Sequence, residues 1–406
     1  MPPIIKGVAV VGQSGGPTAV INQSLVGLIE GLRETLARTG DVTRILGMRH
    51  GVRGLTTGQF ADLTEMPSAR LDRLADTPSA ALGSTRDKPD AAYGTRILDA
   101  CRANDVRYFF YIGGNDSSDT CRIVREAAVS GGYDLRCFHI PKTVDNDLMK
   151  SDHTPGYPSA ARFVATAFLA DGLDNRSLPG IKINVVMGRH AGFLTASAAL
   201  ARRREDDGPH LVYLPEVPFD TDRFVSDVER MYTKFGRCHI AVSEGIQNAA
   251  HEPIGASLVK NAERDAHGNV QLSGTGALGD LLADLLKTRL KPQGGKPPRV
   301  RADTFGYLQR CWPDASLVDR SEAREAGRHA AKLAADGVAD GSIAILRTSE
   351  HGEPYASDMT RVELTDVAAK TRYMPPEFIA GHNDVSQAFI DYCQPLIGDL
   401  PEVESV

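Results

Sequence analysis

GVAVVGQSGGPTAVINQSLVGLIEGLRETLARTG, residues 7–40, is the stretch from which the fold is read. Gly7–Val11 is a short apolar run of the kind that fills a buried strand. Glycines follow at Gly12, Gly15 and Gly16. Beyond them Ile21, Leu25, Leu28, Leu32 and Leu36 recur at three- and four-residue spacing, and Gly40 closes the run. This spacing predicts a helix opened by Pro17 and ended at Gly40. Strand, glycine turn and helix together form the unit of a parallel sheet covered by helices.

The same unit recurs outward along the chain. Further strand candidates are Arg107–Ile112, Cys137–Pro141, Ile183–Met187, His210–Leu214, Cys238–Ser243 and Ser342–Leu346, with helical stretches such as Thr221–Phe235 and Ser321–Ala335 between them. One hydrophobic core rarely grows beyond about 250–300 residues, so a chain of 406 residues is expected to form two lobes. The expected class is α/β, with Rossmann-like lobes whose parallel-rich sheets are covered by helices. Leu290–Arg299 (LKPQGGKPPR) reads as the clearest loop or linker.

Bulk properties exclude some functions. The formal net charge of -6 provides no field for nucleic acid or an acidic membrane, so an anionic substrate must be held by local cations and backbone amides. No apolar run approaches the roughly 18 residues of a membrane span, and Met1–Lys6 does not read as a signal peptide. The six cysteines are scattered without a C-x-x-C pair and read as reduced thiols of a cytoplasmic enzyme.

In parallel sheets ligands sit beyond the carboxyl ends of the strands. Five segments are unusually rich in glycine, acid or base, four of them at such ends. Gly12–Thr18 (GQSGGPT) can bring backbone amides close to a phosphate, although it also reads as a plain strand-to-helix turn. Gly113–Thr120 (GGNDSSDT) repeats that architecture with more oxygens than one helix cap needs. Pro141–Asp147 (PKTVDND) sets two carboxylates beside a lysine. One acid can take a hydroxyl proton, the other can orient that hydroxyl or help hold Mg²⁺, and the lysine can neutralise phosphate charge. Met187–Gly192 (MGRHAG) carries an arginine suited to a sugar phosphate, and His190 reads as a surface residue or a neighbour of the site. Arg301–Arg310 (RADTFGYLQR) spaces two arginines and a tyrosine along a strand-like segment able to clamp a terminal phosphate.

Gly274–Gly279 (GTGALG) matches the dinucleotide fingerprint but follows no buried strand, and reads as a helix start. An NAD-dependent oxidoreductase is therefore the distant alternative. There is no P-loop motif and no zinc-ligand spacing.

In order and spacing, GQSGGPTAVIN, GGNDS, PKTVDND, MGRHAG and GYLQR resemble the phosphofructokinase family, specifically its pyrophosphate-dependent branch, from about Ile5 to Leu346. The resemblance implies an active site in the cleft between a phosphoryl-donor lobe (1–156 plus about 311–370) and a sugar-phosphate lobe (157–310 plus about 371–406). The implied reaction is reversible transfer from pyrophosphate to the 1-hydroxyl of fructose 6-phosphate, with Mg²⁺, in a homodimer. Asp145 resembles the base, with Thr143 and Asp147 as neighbours. Met187, Gly188 and Arg189 resemble the sugar-binding motif, Glu244 an acid that binds sugar hydroxyls, and Arg301, Tyr307 and Arg310 the 6-phosphate cluster. Gly15, Arg86, Asn115, Asp116 and Lys142 fall on the donor side, and Asn115 and Asp147 at the metal.

Donor choice has a physical reading. ATP-using relatives have glycine where this chain has Asp116 and Lys142. A carboxylate at Asp116 fills and repels the place of a nucleotide's α-phosphate, while Lys142 supplies charge to pyrophosphate. ATP-dependent 6-phosphofructokinase is the alternative. Two positions depart from the family pattern. Asn115 replaces a metal-binding aspartate, and Gly180 stands where many relatives carry an arginine reaching a neighbouring subunit, with Lys182 nearby as its expected substitute.

Overall fold

The computed structural model describes residues 5–254, 276–290, 298–350 and 353–404. Its strands, in chain order, are β1 (Gly7–Gln13), β2 (Val42–Met48), β3 (Phe60–Asp62), β4 (Val106–Gly113), β5 (Arg136–Pro141), β6 (Ile181–Val186), β7 (Leu211–Tyr213), β8 (Cys238–Ser243), β9 (Val300–Thr304), β10 (Asp340–Arg347), β11 (Ser357–Val362), β12 (Ile379–Ala380) and β13 (Asp384–Val385). The chain divides into two compact units, Met1–Ser159 with Arg310–Arg372, and Ala160–Gln309 with Tyr373–Val406.

The first unit is built on a seven-stranded sheet of order β11-β10-β5-β4-β1-β2-β3. Pairings from β10 through β2 are parallel, and the two edge strands β11 and β3 are antiparallel. Because both faces are covered, β4 (VRYFFYIG) is apolar almost throughout. Strand alternation divides its side chains between two cores. Tyr108, Phe110 and Ile112 join Ala9 and Val11 under Ile21, Leu25 and Leu28, while Phe109 and Tyr111 join Val8 and Val10 under Ile97 and Val124. The helices Ile21–Leu32 and Leu317–Ala335 touch backbone to backbone. A Cβ on Gly27 would lie 1.9 Å from the Arg324 carbonyl oxygen, so no larger residue fits.

The second unit carries a four-stranded parallel sheet of order β7-β8-β6-β9 and a separate β12-β13 pair. Its core gathers Ile183, Val185, Ile240, Val242, Phe224 and Leu282. All six cysteines are free, and five of them are buried. No described helix is long and apolar enough to cross a membrane.

Two local expectations change. The first helix begins at Ile21, not at Pro17. The intervening backbone is engaged by other loops: Gly15 N donates to Thr85 O at 2.9 Å, and Thr18 O accepts from Ser79 N at 3.0 Å. Arg301–Arg310 is a strand only to Thr304, after which Gly306–Arg310 turns as a 3₁₀ helix. Gly276 precedes the helix Ala277–Arg289, as a helix start should. Gly274, Thr275 and most of the expected linker (291–297) lie outside the described residues.

Candidate active site

In the first unit the neighbouring strands β1, β4 and β5 end level with one another, Gln13 pairing with Ile112 and Gly113 with Pro141. Their loops therefore leave the sheet side by side. The β1 loop turns at Gly15, whose φ of +76° suits glycine. Its carbonyl accepts from Ser84 Oγ at 2.6 Å. The β4 loop is a single residue, Gly114, before the helix Asn115–Ser130. Asp116 is not the helix cap, since Gly114 holds that position. Asp116 sits in the first turn, where the helix dipole favours an anion, and its carboxylate pairs with Lys88 at 3.2 Å.

The β5 loop begins with Lys142, whose amide donates to Gly113 O at 2.9 Å. Its side chain reaches across to the β1 loop. Nζ donates to Gly16 O at 2.6 Å and lies 3.2 Å from where a Cβ on Gly15 would be. Lys142 is only 3% exposed. Burial, reinforced by the Arg310 guanidinium, pushes its ammonium down to about 7, against the pull of Asp145 and Asp147. Arg310 also faces Gly16, where an added Cβ would meet its Cζ at 3.0 Å. Arg310, expected in the sugar-phosphate lobe, thus packs in the first unit. Arg86, exposed, adds to the same positive field.

Asp145 and Asp147 follow on this loop. Asp145 N is held by Thr143 Oγ1 at 3.1 Å, and Asp147 Oδ2 accepts from Asn115 Nδ2 at 3.0 Å. Burial first, then the charge of Asp145, raises the Asp147 carboxyl well above the usual carboxylate range. Asn146 between them takes φ +57°, the left-handed region that asparagine enters more readily than most residues. Arg372, which carries no local sequence signal, donates its amide to Asp147 O at 2.8 Å.

The fit of a divalent cation can be tested on these oxygens. Asn115 Oδ1 and Asp145 Oδ1 are buried without a hydrogen-bond partner, and Asp147 lies against Asn115. Oxygens without donors suit a hard cation. Among the described residues no cluster of three or more His, Cys, Asp or Glu could hold a metal. The chain therefore offers a partial oxygen shell of the kind Mg²⁺ completes with substrate phosphates.

In the second unit Met187, Gly188 and Arg189 leave β6 beside Glu244, which leaves the adjacent β8. Ser243 Oγ donates to Gly188 O at 2.6 Å and accepts from Gly245 N at 3.0 Å, cross-linking the two loops. Gly188 takes φ +125°. A Cβ on Gly245 would lie 2.0 Å from Arg189 O, so the loops meet backbone to backbone. Glu244 is 5% exposed and His190 is exposed. The structure adds two residues to this group. Gln309 Oε1 accepts from Met187 N at 3.3 Å, and Glu216 Oε1 accepts from Gly192 N at 2.8 Å. Gln309 stood inside a quoted motif, whereas Glu216 had no pattern to reveal it.

Of the expected Arg301–Tyr307–Arg310 cluster, Arg301 and Tyr307 belong to the second unit and Arg310 to the first. On β9 Arg301 pairs in register with Lys182. Met187 lies five residues further along β6, roughly 16 Å away at strand rise. Arg301 instead faces Asp174 at 3.7 Å. Tyr307 is exposed on the 3₁₀ turn. Lys182, the expected substitute for the missing arginine, has its ammonium paired with Asp171 (3.3 Å) and Asp303.

A sequence model described as phosphofructokinase matches residues 8–334. The chain belongs to the phosphofructokinase family. A relative from Rhodospirillum rubrum named pyrophosphate–fructose 6-phosphate 1-phosphotransferase is 54% identical over 97% of this chain and 95% of its own. One of the same name from Halomonas elongata is 38% identical, over 97% and 93%. The crystal structure of a pyrophosphate-dependent phosphofructokinase from Marinobacter aquaeolei matches 98% of this phosphofructokinase and 94% of its own chain, with a TM-score of 0.83 and 32% identity.

Proposed function

We propose that this phosphofructokinase reversibly transfers a phosphoryl group from inorganic pyrophosphate to the 1-hydroxyl of fructose 6-phosphate. The observation that carries the donor choice is the Lys142 ammonium, buried against Gly15 and Gly16 at the mouth of β1, with the Asp116 carboxylate in the first turn of the helix that follows β4. Near-full-length likeness to relatives named for this reaction supports the same reading.

Pyrophosphate lies among Gly15, Arg86, Asn115, Asp116 and Lys142. Lys142 and Arg86 meet its charge, and Asp116 repels the α-phosphate that only a nucleotide would place there. The sugar is oriented by Met187, Gly188, Arg189 and Glu244. Tyr307, Arg310 and Arg301 are the candidates for its 6-phosphate, and Arg301 is the weakest of them for the register reason given above. Asp145, held by Thr143, accepts the proton of the 1-hydroxyl as its oxygen bonds to phosphorus. The bridging P–O bond of pyrophosphate breaks and orthophosphate leaves. Lys142 neutralises the charge on the departing oxygens. Asn115 and Asp147 would hold Mg²⁺, which when bound screens the negative charge of the phosphates.

A cytoplasmic homodimer is part of this proposal. Five buried free thiols suit a reducing compartment, and sedimentation tests the assembly. The donor is tested by assaying pyrophosphate and ATP side by side with fructose 6-phosphate and Mg²⁺. Turnover with ATP alone would overturn the reading in favour of the ATP-dependent enzyme.

A further inference from the structure

The segment that carries Asp145 and Asp147 is a closed excursion from the sheet. Thr143 bridges Gly156 in parallel, Thr143 N donates to Pro155 O at 3.1 Å, and Thr154 Oγ1 donates to Thr143 O at 3.0 Å. The two aspartates lie on its outgoing limb. Their placement thus depends on what anchors the returning limb, residues 152–159.

The anchor is one face of the Leu317–Ala335 helix. Asp319 and Glu322, three residues apart, share that face. Asp319 is fully buried and accepts from Gly156 N at 2.8 Å and Ser159 N at 3.0 Å. Glu322 meets His153 Nε2 at 2.6 Å and accepts from Tyr355 OH at 2.5 Å and Ser357 Oγ at 2.6 Å. On the far side of the imidazole, Nδ1 meets Asp152 Oδ2 at 2.8 Å, and Arg347 lies 3.4 Å from that same oxygen.

His153 is 0% exposed, with a carboxylate oxygen at each ring nitrogen. Carboxylates only accept, so both nitrogens must carry protons and the ring is charged. Burial opposes the charge, but the hydrogen bonds to Asp152 and Glu322 outweigh it and raise the ring to about 9. The titratable and charged groups facing it are Asp152 and Arg347 on one side, Glu322 and Tyr355 on the other, and Asp319 one turn earlier on the helix. The phosphoryl-transfer reading uses none of them.

We propose that His153 is a positioning residue for phosphoryl transfer: its imidazolium, held between Asp152 and Glu322, ties the loop of Asp145 and Asp147 to the helix behind it. In its activity readout the inference rests on the function proposed above.

Full-length His153→Gln and Glu322→Gln test it, with Tyr355→Phe as the variant that keeps every charge. In both charge variants kcat with pyrophosphate should fall about tenfold or more while KM for both substrates stays within about threefold, the signature of a displaced reacting group. Tyr355→Phe should stay within about twofold of wild type, since it loses one hydrogen bond to Glu322 and leaves both charges and their contact in place. Glu322→Gln should also move the alkaline limb of the rate to lower pH than in wild type. Should His153→Gln fail to fold, Glu322→Gln decides. A folded Glu322→Gln enzyme with wild-type kcat and an unmoved alkaline limb, or one altered only in KM, would overturn the proposal. Histidine-selective NMR of the wild type is independent of activity: one buried ring should stay protonated to about pH 9. Its absence would also overturn the proposal. A wild type inert to pyrophosphate would sink the proposed function while leaving that titration to judge the clamp.

Discussion

Replacing Lys142 by methionine removes one charge from the donor site while keeping most of its volume, and the structure sets the size of the effect. An ammonium about 4 Å from one phosphate charge is attracted by about 4 kcal/mol at an effective dielectric near 20. In the empty site Lys142 is pushed down to about 7 by burial and Arg310, so at about pH 8 roughly nine in ten molecules must take up a proton to bind, at a cost of about 1 kcal/mol. The remaining 3 kcal/mol or so makes wild type bind pyrophosphate about a hundredfold more tightly than Lys142→Met. The sign follows from the depressed value. A lysine that is neutral when empty and charged when occupied favours binding less as pH rises. The advantage should therefore shrink about fivefold between about pH 7 and 8, and about tenfold more by about pH 9. Calorimetry in buffers of different ionisation enthalpy should show nearly one proton taken up at about pH 8 in wild type and none at this site in the variant. A loss under about threefold, or a ratio that does not change with pH, would refute the placement of this ammonium against the pyrophosphate.

Asp145→Ala should lower kcat by about a hundredfold to ten-thousandfold while fructose 6-phosphate affinity stays within about threefold, and a near-normal rate would remove Asp145 as the base. Asp116→Gly with Lys142→Gly should shift preference towards ATP in a two-donor assay, and unchanged pyrophosphate preference would contradict the donor reading. Gly15→Ala forces a side chain into φ +76° with its Cβ 3.2 Å from Lys142 Nζ, so kcat/KM for pyrophosphate should fall about tenfold or more from roughly 1–2 kcal/mol of strain. For His153, raised in the folded state from 6.5 to about 9, the stabilisation is fully present below about pH 6.5 and lost as pH rises through about 9. Denaturant midpoints should therefore fall more across that window in wild type than in His153→Gln.

Much of this was legible in one dimension. Strand periodicity located β1, β4, β5, β8 and β10 to within a few residues, and the oxygen- and glycine-rich loops at their carboxyl ends are the ones the sheet gathers. Those signals are local: a buried strand must be apolar, and a loop that meets phosphate must be small or charged. Three features were not legible, because each depends on a partner distant in sequence. Pro17 does not start the helix, since Thr85 and Ser79 claim the backbone before it. Arg301 looked equivalent to Arg310 along the chain, but parallel register sets it opposite Lys182 at the far end of β6. His153 carried no signal in the sequence, and only the fold brought Glu322, 169 residues away, to its second nitrogen. Sequence alone determined which residues could do chemistry at the strand ends, because that choice is made by local sterics and charge. Only tertiary structure decided how they are aimed and held, because strand register and the pairing of buried charges are settled by long-range contacts.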